Sequence, residues 1–257
     1  MLINKWFIIP KPKSKVDLKL ICFPYAGGNS STYMSWAKYL PENVELIIVQ
    51  PPGRGSRIFE PIYSDMKSLI SDLLWLIPEH LNTPYILLGH SLGSRIAFEL
   101  MVQLNKLKFP LPLHFIASGS RAPHLASDKK RIFNLPDKEF ISELKKLNGT
   151  PKDVLENNEL MELLLPMLRA DFKIAENYCY SGSEIFNCPI SLLAGNDDID
   201  ITLSMLEGWV DHFTEIKNIY IVSGNHFFID NNTEAVIQKI NEVIQQSLSN
   251  LSIKNQL

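Results

Sequence analysis

From Tyr85 to Gly93 the chain reads YILLGHSLG. Four apolar residues suited to a buried strand run straight into a serine held between two glycines. From Leu92 to Lys106, apolar residues then recur at Ile96, Ala97, Leu100, Met101 and Leu104, the spacing of one helix face. A strand that becomes a helix across G-x-S-x-G has few ways to fold. The serine must sit on a sharp turn with its hydroxyl exposed above a sheet, and a Cβ at Gly89 or Gly93 would collide where strand and helix nearly touch.

The rest of the chain agrees with such a sheet. Short apolar runs at Leu18 to Phe23, Val44 to Val49, Tyr85 to Leu88, His114 to Ser118, Ile190 to Leu193 and Ile219 to Val222 read as strands. Segments of helical period lie between and after them, at Ser31 to Tyr39, Ser64 to Ile77, Leu92 to Lys106, Met205 to Phe213 and Thr233 to Leu248. This alternation predicts a mostly parallel α/β sheet with helices on both faces, in one domain spanning residues 1–257. A polar tail from Ser249 is expected to fray. From Ser127 to Glu184 no strand is expected, but Pro136 to Leu147 and Glu156 to Cys179 look helical, with Gly149 and Pro151 between them. A helical insertion between two strands of one sheet is a candidate lid over the site; the plainer reading is that these helices extend the core.

Composition removes several classes of function. With 25 basic and 28 acidic residues and no Lys/Arg block, the chain lacks the clustered basic face that nucleic acid requires. Cys22, Cys179 and Cys188 have no CxxC spacing and leave an odd thiol over, which argues for free thiols in a reducing compartment rather than disulfides or a zinc site. The apolar run Trp6 to Ile9 stops at Pro10, whereas a secretory core needs roughly 7 to 15 apolar residues and a membrane span about 20. The expectation is a cytoplasmic protein, with no membrane segment and no metal.

A serine hydroxyl needs a base, and the base an orienting acid; on a sheet of this kind the chain order is Ser, then Asp or Glu, then His. Only His212 and His226 follow the last strands. His212 lies in the helical run SMLEGWVDHF, where a half-buried packing role is the simpler account. His226 stands in the loop SGNHFF just beyond a strand and is the better base. For the acid, AGNDDID follows the strand ISLL, and Asp197, Asp198 and Asp200 compete. The frame Gly195, Asp198, Ile201 favours Asp198. Oxyanion donors are expected from the amide of Leu92 and from Ala26 in the loop CFPYAGGNSS, although that loop would also serve as a simple capped glycine turn.

FPYAGG, QPPGRGSR, GHSLG, LNGTP followed by LPMLRADF, AGNDD and GNHFF occur in this order from Leu18 to about Gln246. In that order they resemble the type II thioesterases of nonribosomal peptide and polyketide assembly lines, which have the α/β-hydrolase fold. The resemblance implies a stand-alone hydrolase that clears wrong or stalled acyl groups from the phosphopantetheine arm of carrier proteins, with Ser91, Asp198 and His226 as triad and Ala26 and Leu92 as oxyanion donors. It implies carrier proteins as partners, a monomer, and no cofactor of the enzyme's own. Pro51 and Leu92 stand where many relatives have tyrosine and methionine. Arg54 and Arg57 are given no site; a loop arginine is usually a salt-bridge partner. The rivals are a small-molecule esterase or lipase of the same fold and a non-catalytic scaffold that docks a carrier.

Overall fold

Strands buried on both faces read as unbroken apolar runs, and they form the centre of the sheet. The computed structural model describes residues 5–127, 130–147, 149–150 and 152–254. Pro151 and Asn148, within the expected lid and its LNGTP string, lie outside the described residues, as do 1–4, 128–129 and 255–257. The strands are β1 (Phe7–Ile8), β2 (Leu18–Phe23), β3 (Val44–Val49), β4 (Tyr85–His90), β5 (His114–Ser118), β6 (Phe186–Gly195) and β7 (Phe213–Val222). They form one sheet in the order β1-β3-β2-β4-β5-β6-β7, parallel except where β1 pairs antiparallel with β3. The α/β class expected from the alternation is what the chain adopts.

The helices are α1 (Ser31–Met34), α2 (Met66–Leu76), α3 (Leu92–Lys106), α4 (Asp137–Leu147), α5 (Lys152–Leu155), α6 (Asn158–Asn177), α7 (Leu203–Glu207), α8 (Phe228–Asn231) and α9 (Thr233–Lys254). Side chains alternate across the sheet as the period of two requires. Ile21 and Phe23 of β2 join a core with Leu73 of α2, Phe98 of α3 and Trp209. Leu18, Leu20 and Cys22 join the opposite core with Tyr33, Trp36 and, from α9, Val236, Ile240 and Ile244. A third apolar cluster draws its buried members from α4, α5 and α6, namely Phe140, Leu144, Leu155, Met161, Leu165, Met167 and Leu168, with Ile62, Ile132 and Leu135 packed against it. Within α6, Pro166 has no amide to donate, so the hydrogen-bond ladder is interrupted between its two halves.

Several boundaries depart from the expectation, among them the helix expected from Ser31 to Tyr39, which is the short α1 followed by a 3-10 turn at Ser35–Lys38. β1 is two residues drawn from the run Trp6 to Ile9, too short to show a period. β7 begins at Phe213, not Ile219, and the helix expected from Met205 to Phe213 is instead the short α7 followed by a 3-10 turn at Gly208–His212. β6 starts at Phe186, with register shifts around Pro189, which has no amide for the ladder. The tail from Ser249 is helical as far as Lys254, with the Ser249 and Ser252 hydroxyls donating to the carbonyls of Gln245 and Leu248.

Candidate active site

Ser91 caps the N-terminus of α3 with φ 53° and ψ −116°, a conformation that non-glycine residues rarely hold. The neighbours enforce it. A Cβ at Gly89 would strike the backbone of Gly93 and Ser94, as the strand-to-helix argument requires. A Cβ at Gly93 would strike something else: the carbonyl of Phe23 at the end of β2, with Pro24 O 2.7 Å away. The Ser91 amide donates to Ser118 O at 2.8 Å, tying the turn to β5.

The loops after β6 and β7 deliver the other two groups. His226 Nε2 lies 3.0 Å from Ser91 Oγ, and His226 Nδ1 lies 2.7 Å from Asp198 Oδ2. With Nδ1–H donating to the carboxylate, Nε2 is left to accept the serine proton. The Asp198 side chain is fully buried and its Oδ1 accepts the amides of Asp200 (2.9 Å) and Ile201 (3.2 Å). Burial alone would raise its pKa, but the hydrogen bond and charge of His226 and the two amides together hold it below the usual carboxylate value. Asp197 is exposed, and its amide donates to Gly224 O. The structure thus brings Ser91, His226 and Asp198 together, with Asp197 outside the constellation and Asp200 contributing its amide. His212 lies elsewhere, with His124 Nδ1 2.9 Å from its Nε2.

His90, the first of the two variable residues of G-x-S-x-G, has a structural part the sequence did not disclose. It is fully buried; Nε2 donates to the carbonyl of His226 (2.8 Å) and Nδ1 accepts from Ser118 Oγ (2.9 Å). It therefore holds the backbone of the base. Burial, reinforced by the nearby His226, pushes its pKa down to about 3, so the ring is neutral. A polar side chain at the end of a strand buried along its whole length was the available signal.

Ala26 lies in the loop after β2, beside the turn, since Phe23 pairs with Gly89. Among the described residues neither its amide nor that of Leu92 donates to a protein acceptor. Arg54 forks onto Asp171 of α6, and Arg57 onto Glu60, so both arginines are the salt-bridge partners expected of them. Tyr25, Arg54, Leu92, Ile96, Asp171 and Ile174 help line a cavity of about 10 Å³, room for about one water. Phe227 packs edge-on against His226 at 5.3 Å, and Gly149, beyond α4, lies directly on Phe227.

A mostly parallel sheet with helices on both faces and a serine turn after its central strand is the α/β-hydrolase fold. A thioesterase domain model matches residues 18–244, and the chain belongs to the thioesterase family. Its relatives include the protein named linear gramicidin dehydrogenase LgrE from Brevibacillus parabrevis, 38% identical over 95% of this chain and 94% of that one. Thioesterase PikA5 from Streptomyces venezuelae is 33% identical over 91% of this chain and 82% of that one. The crystal structure of ClbQ from the colibactin NRPS/PKS pathway superposes with a TM-score of 0.85 at 33% identity, covering 90% of this chain and 98% of that chain. The chain is accordingly a hydrolase acting on thioesters. Among the described residues no helix is long and apolar enough to cross a membrane.

Proposed function

We propose that the protein hydrolyses acyl or aminoacyl thioesters on the phosphopantetheine arm of carrier proteins, clearing wrong or stalled groups from a nonribosomal peptide or polyketide assembly line. The observation that carries this reading is the Ser91–His226–Asp198 relay on a thioesterase chain. Ser91 Oγ attacks the thioester carbonyl while His226 Nε2 takes its proton. The amides of Leu92 and Ala26 face the oxyanion of the tetrahedral intermediate. The C–S bond breaks, the carrier thiol leaves with the proton from His226, and the acyl group stays on Ser91. Water then gives a proton to His226 and attacks the acyl-enzyme, and as the bond to Ser91 Oγ breaks His226 returns that proton to Oγ, releasing the free acid and restoring Ser91.

The chain works as a cytoplasmic monomer, and needs no cofactor of its own because the phosphopantetheine arrives on the carrier. Three free cysteines fit a reducing compartment. The name dehydrogenase borne by one relative has no counterpart in this sequence: β2 runs into PYAGGN, without the G-x-G-x-x-G that cradles a dinucleotide. Residues 127–184 act as a lid. In support, the buried members of one apolar cluster all come from α4 to α6, and Leu168 of α6 lies against Gly27 in the loop after β2, next to Ala26. Hydrogen exchange should be faster in α4–α6 than in β2–β5, and should slow when Ser91 carries a non-hydrolysable acyl analogue. Uniform core-like protection in both states would place these helices in the fixed core.

The test is hydrolysis of a carrier protein loaded with acetyl, longer acyl or aminoacyl groups, followed by intact mass against small esters. Acyl-carrier turnover above ester turnover is expected. Turnover of esters alone would make the protein a small-molecule esterase, and neither turnover nor fluorophosphonate labelling of Ser91 would make it a docking scaffold.

A further inference from the structure

Two motifs far apart in the chain, QPPGRGSR and LPMLRADF, meet in one buried contact. Arg54 Nη1 and Nη2 donate to Asp171 Oδ2 and Oδ1 at 2.7 and 2.8 Å, and the two side chains are 5% and 7% exposed. The fork-on-carboxylate geometry is the strong form of such a pair, and an ion pair this dry survives only when its remaining hydrogen-bonding capacity is filled. What fills it is the loop after β2. Asp171 Oδ2 also accepts the Gly27 amide at 2.8 Å, and Arg54 Nη1 also donates to the Gly28 carbonyl at 3.1 Å.

The gripped residues directly follow Ala26. Gly28 donates to Tyr25 O at 2.9 Å, so residues 25–28 form one tight turn with Ala26 inside it. Gly27 has φ +79°, and a Cβ there would lie 2.7 Å from Leu168 Cδ2, so α6 rests on the turn itself. The Ala26 amide shares its peptide with the Tyr25 carbonyl that the Gly28 amide holds, and the Tyr25 hydroxyl donates to Asp230 Oδ2 at 2.7 Å, so the grip on Gly27 and Gly28 fixes the other end of the turn. Arg54 holds the turn from the body of the protein, whereas Asp171 and Leu168 stand in the second half of α6, between a first half that packs with α4 and α5 and an end whose Ile174 joins the main core. The turn is complete only when α6 is seated.

We infer that Arg54 and Asp171 are positioning residues that aim the Ala26 amide at the oxyanion and make that aim depend on the seating of α6. The inference rests on the thioesterase reading and extends it: closing the helices over the substrate completes the oxyanion site, so an open enzyme binds a thioester without stabilising its transition state. A donor misdirected in this way affects the transition state and leaves ground-state binding alone, which separates kcat from KM.

The test uses Asp171→Asn, Arg54→Met and Arg54→Lys in the full chain, with Val243→Ala in α9 as a control for general destabilisation. Fluorophosphonate labelling taken to completion counts the folded sites, and hydrolysis of acetyl-carrier protein gives kcat per site. Loss of one oxyanion donor lowers kcat about 10²- to 10³-fold, so a loosened one should lower it roughly 10- to 100-fold with KM within about threefold. The double variant Arg54→Met/Asp171→Asn should be no slower than the worse single, because the pair acts as a unit. Arg54→Lys keeps the charge without the fork and decides the matter should the other variants fail to fold. Variants within about twofold of wild-type kcat per site, or a loss matched by Val243→Ala, would overturn the inference. A wild-type protein that hydrolyses no thioester would instead overturn the proposed function, and the rate of fluorophosphonate labelling, which needs the same amides, would then carry the comparison.

Discussion

His90 makes the stability of the protein depend on pH in a way that one substitution isolates. In the fold its pKa is pushed down to about 3, first by burial and then by His226, against an unfolded value of 6.5. A base whose folded pKa is depressed favours folding fully above its unfolded pKa and progressively less as the pH falls towards the folded value. At 1.36 kcal/mol per unit, the loss from His90 is about 2 kcal/mol at pH 5 and about 4 kcal/mol at pH 3. His90→Gln keeps an N–H near the position of Nε2, so the bond to the His226 carbonyl can persist, and it removes the titration. Urea unfolding at pH 7.5 and pH 5.0, followed by far-UV circular dichroism, reads the effect. Wild type should lose about 2 kcal/mol more than the variant between the two pH values. His114, nearly buried and lowered to about 4, adds its own acid sensitivity to both proteins and cancels in the comparison. Equal losses in wild type and variant would refute the reasoning, because a ring kept neutral by burial must make folding resist acid less than a side chain that does not titrate.

Ser91→Ala should fold normally and lose about 10³-fold or more in acyl-carrier hydrolysis; a tenth of the wild-type rate would end the covalent mechanism. Asp198→Asn should cost several orders of magnitude in kcat by leaving His226 in the wrong tautomer, while Asp197→Asn, at an exposed side chain, should cost little; the reverse ranking would move the acid to Asp197. Gly93→Ala presses a methyl into the backbone of Phe23 and Pro24, which cannot swing aside as a side chain would, and should destabilise by about 3 kcal/mol. A wild-type melting temperature for that variant would show that α3 can draw back from β2.

What could be read from the sequence follows from how each element meets its surroundings. β2, β3, β4 and β5 are buried on both faces along their whole length, so each stands out as an unbroken apolar run. β7 is an edge strand, and Thr214, Glu215, Lys217 and Asn218 in its first half hid the strand and lengthened the apparent helix before it. In the last turns of α9, serines satisfy their hydroxyls on the carbonyls four residues back, so a tail that looks polar remains helical. The site divides in the same way. Ser91 and His226 follow from chain order and strand ends, and Asp198 from the frame it shares with Gly195 and Ile201, whose amide it accepts. Arg54 and Asp171 are 117 residues apart, and one sequence carries no sign that they meet. A carboxylate on the apolar face that Met167 and Ile174 share in α6 was the only hint.

The left-handed backbone of Ser91 sets fitness against robustness. Holding a residue with a side chain at φ 53° costs about 1 to 3 kcal/mol, and a glycine would relieve much of it. Ser91→Gly should therefore give a more stable protein that no longer makes an acyl-enzyme. A laboratory selection for thermal resistance alone would drift towards discarding the nucleophile, so any programme to harden this enzyme has to screen for turnover at every round.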